Sequence, residues 1–328
     1  MKALAFCPLI ATLLVSAALH ADDRPPIIDM HLHAQSPDGY GPPGVAFCME
    51  FTRYVPPMDP ADGPIVEQVM AFQMNPGCEN PMIASADLDA LLGETLAQME
   101  EWNVRGVISG PPEIVSAWKA AAPERFIAGR QFNFGRERDV TPEVLADEYR
   151  KGQFEVFAEV TNQYINVAPD DPKMDAYWAL ADELGFPVGI HLGPLPPGSP
   201  LMVPGSIALG DPISMEPVLK KYPKLRVYIM HAGVPFIDRS IALMQTYPHV
   251  YAGTGVLQAM MTRAAYEDML RRFVDAGLGK RLMYGTDQMA WPEMIGRSIE
   301  RVLESEVLSD EQKRDILYNN AARFLRLE

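Results

Sequence analysis

From Asp87 to the C-terminus, short apolar runs alternate with longer segments of helical period, and this alternation constrains the fold more than any other feature. Apolar runs with strand character fall at 104–109, 126–132, 154–160, 187–191, 225–231, 249–252 and 281–286. Between them lie helical patterns with recognisable starts. Asp87 stands as N-cap before a stripe of Leu88, Leu91, Leu92, Leu96 and Met99. Thr141-Pro142, Asp171-Pro172 and Asp211-Pro212 each place a capping side chain before a proline in the first turn. A further strand, Ile27–His33, precedes them all. Strands that alternate with helices imply parallel βα units. Eight such units in about 300 residues fit an α/β fold of the closed (β/α)8 type better than an open sheet.

With 48% apolar and 22% charged residues, the 328-residue chain can bury a large core. Its 28 basic against 43 acidic residues give a net charge of −15, which repels polyanions and argues against a nucleic-acid partner. Residues 34–86 are rich in Pro, Gly and Met and show no clean period, so they read as a long lid inserted after the first strand. No linker or internal repeat divides residues 22–328, which read as one barrel.

The first 21 residues have the pattern of a secretory signal peptide. Lys2 precedes an uncharged apolar run from Ala3 to Leu19, followed by small residues and Asp22-Asp23-Arg24. Cleavage after Ala21 or Ala18 is expected, with bacterial export to the periplasm and no membrane association afterwards. The alternative is an uncleaved anchor. In an oxidising compartment Cys48 and Cys78 are expected to pair. The loop of about thirty residues so closed is worth roughly 3–4 kcal/mol in chain entropy. Two unpaired thiols are the alternative.

In a (β/α)8 barrel the chemistry sits at the C-terminal ends of the strands. His31 and His33 end the first strand, His191 the fifth and His231 the sixth. Glu159 lies near the end of the fourth, and Asp287 directly follows the eighth. His31 and His33 are two apart, which puts both on one strand face. Two imidazoles completed by a carboxylate suit zinc, with manganese or iron as alternatives, in one or two ions. An isolated His-X-His is weak evidence, and its conjunction with His191, His231 and Asp287 at the ends of three other strands is strong. Structural histidines are the bland alternative.

The segments Ile-Asp-Met-His-Leu-His, Gly-Ile-His-Leu-Gly, Met-His-Ala-Gly and Tyr-Gly-Thr-Asp, in that order, resemble the amidohydrolase superfamily. The closing Asn319-Asn320-Ala321-Ala322-Arg323-Phe324-Leu325 resembles its amidohydrolase-related branch. That branch includes aminocarboxymuconate semialdehyde decarboxylase, resorcylate-type decarboxylases and a pyrone dicarboxylate lactonase. The resemblance covers residues 27–328 and is poorest over 34–86. It implies His31, His33, His191 and Asp287 as ligands of a single metal, His231 as the group facing substrate, and Asp287 also as proton carrier. In the binuclear relatives a fourth-strand residue bridges two metals. Glu159 stands near that place, and if it bridges, His191 and His231 would hold the second ion. Glu155 has the same parity but begins the strand, where a surface role is expected.

The leading expectation is hydrolysis of an ester, lactone or amide bond in a small organic molecule by a metal-activated water. The runner-up is non-oxidative decarboxylation on the same site, which needs a cationic clamp. Arg53 in the lid, Arg130 and Arg136 are candidates. An exported binding protein with a decayed site is the alternative from another class. Met49, Phe51, Tyr54, Met58, Phe72 and Met74 of the lid, with Met289 and Trp291, are candidates to line the substrate pocket. Asn162, Gln163 and Tyr164 offer hydrogen bonds at the same mouth. A small-molecule substrate and a homodimer are the expected partners.

Overall fold

The computed structural model describes residues 24–327, so the expected signal peptide lies outside the described residues. Eight parallel strands form the frame: β1 Ile27–His33, β2 Val104–Ser109, β3 Phe126–Ala128, β4 Phe157–Val160, β5 Val188–His191, β6 Val227–Met230, β7 Tyr251–Gly253 and β8 Leu282–Met283. They pair as two arcs, β1-β2-β3 and β4-β5-β6-β7-β8. Parallel bridges Gly129–Val156 and Phe132–Val160 join the arcs on one side. On the other side the Met30 N–H donates to Tyr284 O (3.0 Å) and the Asp287 N–H to His31 O (2.7 Å). The sheet therefore closes, and the chain is a (β/α)8 barrel.

The helices begin and end where their caps require. The Asp87 carboxylate accepts from the Ala90 N–H (2.8 Å) and opens Leu88–Glu101. Thr141 caps Pro142–Arg150 in the same way. Gly185, at φ 72°, ends Asp175–Leu184 in the left-handed conformation that glycine adopts without a Cβ clash. After Asp171-Pro172 and Asp211-Pro212 a 3-10 turn comes first, and the α-helix starts three or four residues later.

Two apolar layers hold the barrel. Ile28, Met30, Val107, Ile127, Val156, Ala158, Tyr228 and Met230 fill the interior, where Ala321 and Phe324 of the last helix pack with them. Ile27, Leu32, Val104, Ile108, Phe157 and Val160 belong to the larger layer between strands and helices. The two layers expose a shift of parity. Along β1, Ile28 and Met30 belong to the interior, yet His31 and His33 also converge inside, because the pairing with β2 slips between Asp29 and Leu32. In β4 the slip lies between Phe157 and Val160, and interior Ala158 is followed directly by inward Glu159. An irregularity of this kind re-aims the side chains beyond it.

The lid expected over 34–86 carries more order than its sequence pattern indicates. It contains a short antiparallel pair, Ala46–Phe47 with Met82–Ile83, and a ten-residue helix, Ile65–Met74. Cys48 and Cys78 are joined by a disulfide. Among the described residues no helix is long and apolar enough to cross a membrane.

Candidate metal centre

The six rim residues lie together, each 8% exposed or less. His31 Nε2 stands 3.2 Å from His33 Nε2, and Asp287 Oδ1 lies 3.5 Å from the first and 2.8 Å from the second. Glu159 Oε2 is 3.6 Å from His31 Nε2 and 3.7 Å from His33 Nε2. The other oxygen of the same carboxylate, Oε1, faces His231 Nε2 at 3.6 Å. His191 falls with Glu159 and His231 in a second group of mutually close donors. Among the described residues no such group joins it to His31, His33 and Asp287.

Hydrogen bonding fixes which ring nitrogens remain available. Gly255 O can only accept, so its 2.9 Å contact with His231 Nδ1 puts the proton there and leaves the Nε2 lone pair, which is buried without a partner. Gln163 donates its amide to Gly193 O (3.1 Å) and Ser206 O (3.3 Å), so its Oε1 accepts from His191 Nδ1 at 2.9 Å. His191 Nε2 therefore also carries a lone pair, 3.2 Å from the Tyr164 hydroxyl. Gly255 has a steric reason as well, since a Cβ there would stand 2.5 Å from His31 Nδ1.

Two of these residues have unusual backbones. His231 (φ 58°) and Asp287 (φ 57°) adopt the left-handed conformation just beyond their strands. Such non-glycine positions cost on the order of 1 kcal/mol or more and concentrate at functional sites.

The electrostatics favour a bound cation. Burial alone would raise the Asp287 carboxyl, but His31 and His33 outweigh it and hold it at about 2. Glu159 is likewise held well below the usual carboxylate range, burial being overcome by His31, His231 and His191. Burial opposes protonation of His33 and His231, yet the two carboxylates outweigh it and raise both. His191 is pushed down to about 3 by burial and by His231. Without an ion, then, protons on imidazoles offset two buried negative charges. The donor set fits a divalent ion on geometry too. Ligands about 2.1 Å from a tetrahedral ion stand about 3.4 Å apart, as four of these donors nearly do.

The donors open into a cavity of about 580 Å³ whose walls include His33, Glu159, His191, His231 and Asp287. Trp291 forms one wall, its Nε1–H bonded to Val45 O (2.9 Å) and its ring 4.9 Å from Phe47 and 5.9 Å from Tyr40. Met289 and Phe51 also line it, whereas Met49, Tyr54, Met58, Phe72 and Met74 do not. Among the described residues Arg136 is the one lysine or arginine on the wall.

Arg53 is corrected by the structure. Its side chain is 67% exposed, pairs with Glu50 at 3.1 Å and does not reach the cavity. A lid arginine one turn from a carboxylate finds that partner more readily than a distant pocket. Arg130 is buried but committed to Glu148 (2.8 Å) and Gln131 O (2.9 Å). Glu155 pairs with Lys119 near the start of β4. Sequence reasoning missed Tyr40, which lines the cavity, and Gln288, which holds the His33 backbone. The flanking Met289 and Trp291 were the nearest signal for Gln288.

Comparison with known proteins agrees with this architecture. The amidohydrolase family model matches residues 28–327. Among curated proteins, protein fluG of Emericella nidulans is 25% identical over 132 residues, 36% of this chain and 15% of fluG, so the match spans a small part of that relative. Solved structures share the fold at low identity. An uncharacterised TIM-barrel protein from Bordetella bronchiseptica is 17% identical, with a TM-score of 0.61 over 92% of this chain and 99% of the other. A probable 2-pyrone-4,6-dicarboxylic acid hydrolase from Acinetobacter baumannii is 15% identical, with a TM-score of 0.56 over 92% and 99%. The 5-carboxyvanillate decarboxylase of Novosphingobium aromaticivorans, solved with manganese, is 14% identical, with a TM-score of 0.55 over 92% and 96%. A barrel whose rim gathers four histidines and two carboxylates, matched over almost its whole described length, belongs to the amidohydrolase family.

Proposed function

We propose that the chain is an exported, metal-dependent hydrolase that cleaves an ester, lactone or amide bond in a small organic acid. The observation that carries this reading is the buried placement of Asp287 at the cavity wall, with Oδ1 2.8 Å from His33 Nε2 and Oδ2 3.9 Å from His231 Nδ1. His31, His33, Asp287 and Glu159 Oε2 would hold one divalent ion, and Glu159 Oε1, His191 and His231 a second. When bound, the metal supplies Lewis acidity for activating water and polarising the scissile carbonyl.

The chain's own groups do the rest. Asp287, ionised at neutral pH, accepts the proton of the attacking water and passes it to the leaving oxygen or nitrogen. With a single ion held, His231 in its protonated form directs Nε2–H at the charge that develops on the carbonyl oxygen; with a second ion held, the Nε2 lone pair is a ligand instead. Arg136 pairs with a substrate carboxylate at the mouth, while Tyr40, Phe47 and Trp291 flank an apolar or aromatic body. The Cys48–Cys78 disulfide supports export, because such bonds persist in oxidising compartments.

A second reading, decarboxylation of an aromatic or enolic acid, is favoured by the aromatic side chains that share the cavity wall with Arg136. There the bond to the carboxylate breaks, the electron pair stays on the ring or enol carbon, and that carbon takes a proton. The solved neighbours include both a hydrolase and a decarboxylase by name. A screen of small lactones, esters and carboxylated aromatics separates the two, since only decarboxylation releases carbon dioxide without consuming water. Asp287→Asn should lower turnover by about 10²–10⁴-fold and leave metal bound. Unchanged turnover would remove Asp287 from the reaction.

A further inference from the structure

The ligands His31, His33 and Asp287 come from opposite ends of the chain, so their spacing depends on the seam between β1 and β8. Main-chain bonding there is sparse. Asp287 and Met289, at φ 57° and 50°, leave the extended conformation, and the backbone after β8 no longer runs as a strand beside His33. The side chain of Gln288, fully buried, fills the gap. Its Oε1 accepts from the His33 N–H at 2.9 Å, and its Nε2–H donates to His33 O at 2.8 Å. One amide thus meets both polar groups of one residue, as a neighbouring strand would. Asp29 braces the layer below, accepting from the His31 N–H (2.9 Å), the Thr286 N–H (3.0 Å) and the Thr286 hydroxyl.

We propose that Gln288 is a positioning residue for the metal centre. It replaces the missing strand partner of His33 and so fixes the His33 imidazole against the carboxylate of its own chain neighbour, Asp287. Among the described residues no other side chain hydrogen-bonds to the His33 backbone. His33 Nε2 and Asp287 Oδ1 are 2.8 Å apart, the shortest spacing within the donor set, and they flank the residue that ties their backbones together. Without the amide, the buried N–H and C=O of His33 lose their partners on that side, and β1 can shift relative to Asp287. Ligands held loosely bind metal more weakly, and outer partners of this kind are typically worth about 10–100-fold in affinity.

The inference rests on the metal reading of the site, and the test separates the two. Metal-free full-length protein is titrated with Mn²⁺ against a competing chelator, for the wild type, Gln288→Met, Gln288→Glu and Asn320→Leu. Gln288→Met keeps the volume and removes both bonds. Gln288→Glu keeps an acceptor for the His33 N–H and loses the donor, which covers the case in which Gln288→Met fails to fold. Asn320 is a comparator at the far end of β8, fully buried and bonded to Gly279 O (2.8 Å) and Leu282 O (2.7 Å). The expected result is a loss of about 10–100-fold in Mn²⁺ affinity for Gln288→Met and a smaller loss for Gln288→Glu. Asn320→Leu should lower the melting temperature and leave affinity within about twofold. If the wild type binds Mn²⁺ and both Gln288 variants bind it equally well, the positioning role is wrong. An equal loss in Asn320→Leu also overturns it, by showing that general destabilisation weakens the site. A wild type that binds no Mn²⁺ refutes the metal reading instead.

Discussion

Replacing Cys48 and Cys78 together by alanine should open the lid without unfolding the barrel. The bond closes a segment with a sequence separation of 30. In the chain-entropy account a loop of that length is worth about 3.6 kcal/mol at 25 °C, an opening equilibrium shifted by about 400-fold. The remaining ties of this segment are few. Phe51, Val69, Phe72 and Pro76 are its buried apolar side chains beyond Cys48. Glu50 accepts from the Arg263 N–H (2.8 Å) and from Arg301 (3.2 Å), and the Thr52 hydroxyl donates to Met260 O (2.8 Å). None of these ties belongs to a barrel strand, so the cost falls on local opening rather than on the global transition. Native-state hydrogen exchange over 49–77 measures it directly. Protection there should fall by two to three orders of magnitude, with β1 to β8 unchanged and KM raised, because Phe51 and Gln73 line the cavity. Unchanged protection over 49–77, or an equal loss throughout the barrel, would show that the disulfide does not hold this segment down locally.

Four further outcomes follow. Carboxylates raise the proton affinity of His33 and His231 despite burial, so a metal ion must expel those protons. Mn²⁺ affinity should therefore climb from about pH 6 to about pH 8, by up to tenfold per unit for each proton released, and an affinity that is flat or falls would contradict this. The sign for folding of the metal-free protein is opposite. The stability from those two protonated imidazoles is complete below the ordinary histidine pKa and is lost as pH rises through the raised values, which urea midpoints across the same range would show. Arg136→Met should weaken inhibition by small aromatic carboxylates about tenfold and spare their uncharged analogues; equal effects on both would remove Arg136 as the anion partner. Arg53→Ala should leave turnover and melting temperature within error, since an exposed pair is worth about 0–1 kcal/mol, and a large loss would return Arg53 to the site.

The fold was legible because each βα unit carries its own signals, such as the Asp87 and Thr141 caps and the Gly185 stop. The strands came out shorter than their apolar runs, since in β3 and β8 only two or three residues keep regular pairing. Parity could not be read through the slips in β1 and β4. Strict alternation gives Glu155 and Glu159 one face, yet one pairs with Lys119 and the other joins the histidine cluster at the rim. The lid helix Ile65–Met74 escaped notice because apolar residues surround it without a stripe, and only Val69 and Phe72 are buried. Histidines at strand ends were visible from spacing. The division of the donors between the two oxygens of Glu159, and the amide of Gln288, depend on contacts between distant segments that no local pattern encodes.

Elemental analysis of protein purified without chelators or added metal tests the central claim most directly. The expected result is at least one equivalent of divalent metal per chain, falling to background when His31 and His33 are both replaced by alanine. A second equivalent that disappears in Glu159→Gln would mark that carboxylate as shared between two ions. A wild type free of metal, or a double variant that keeps its full complement, would contradict the assignment of this rim as a metal centre.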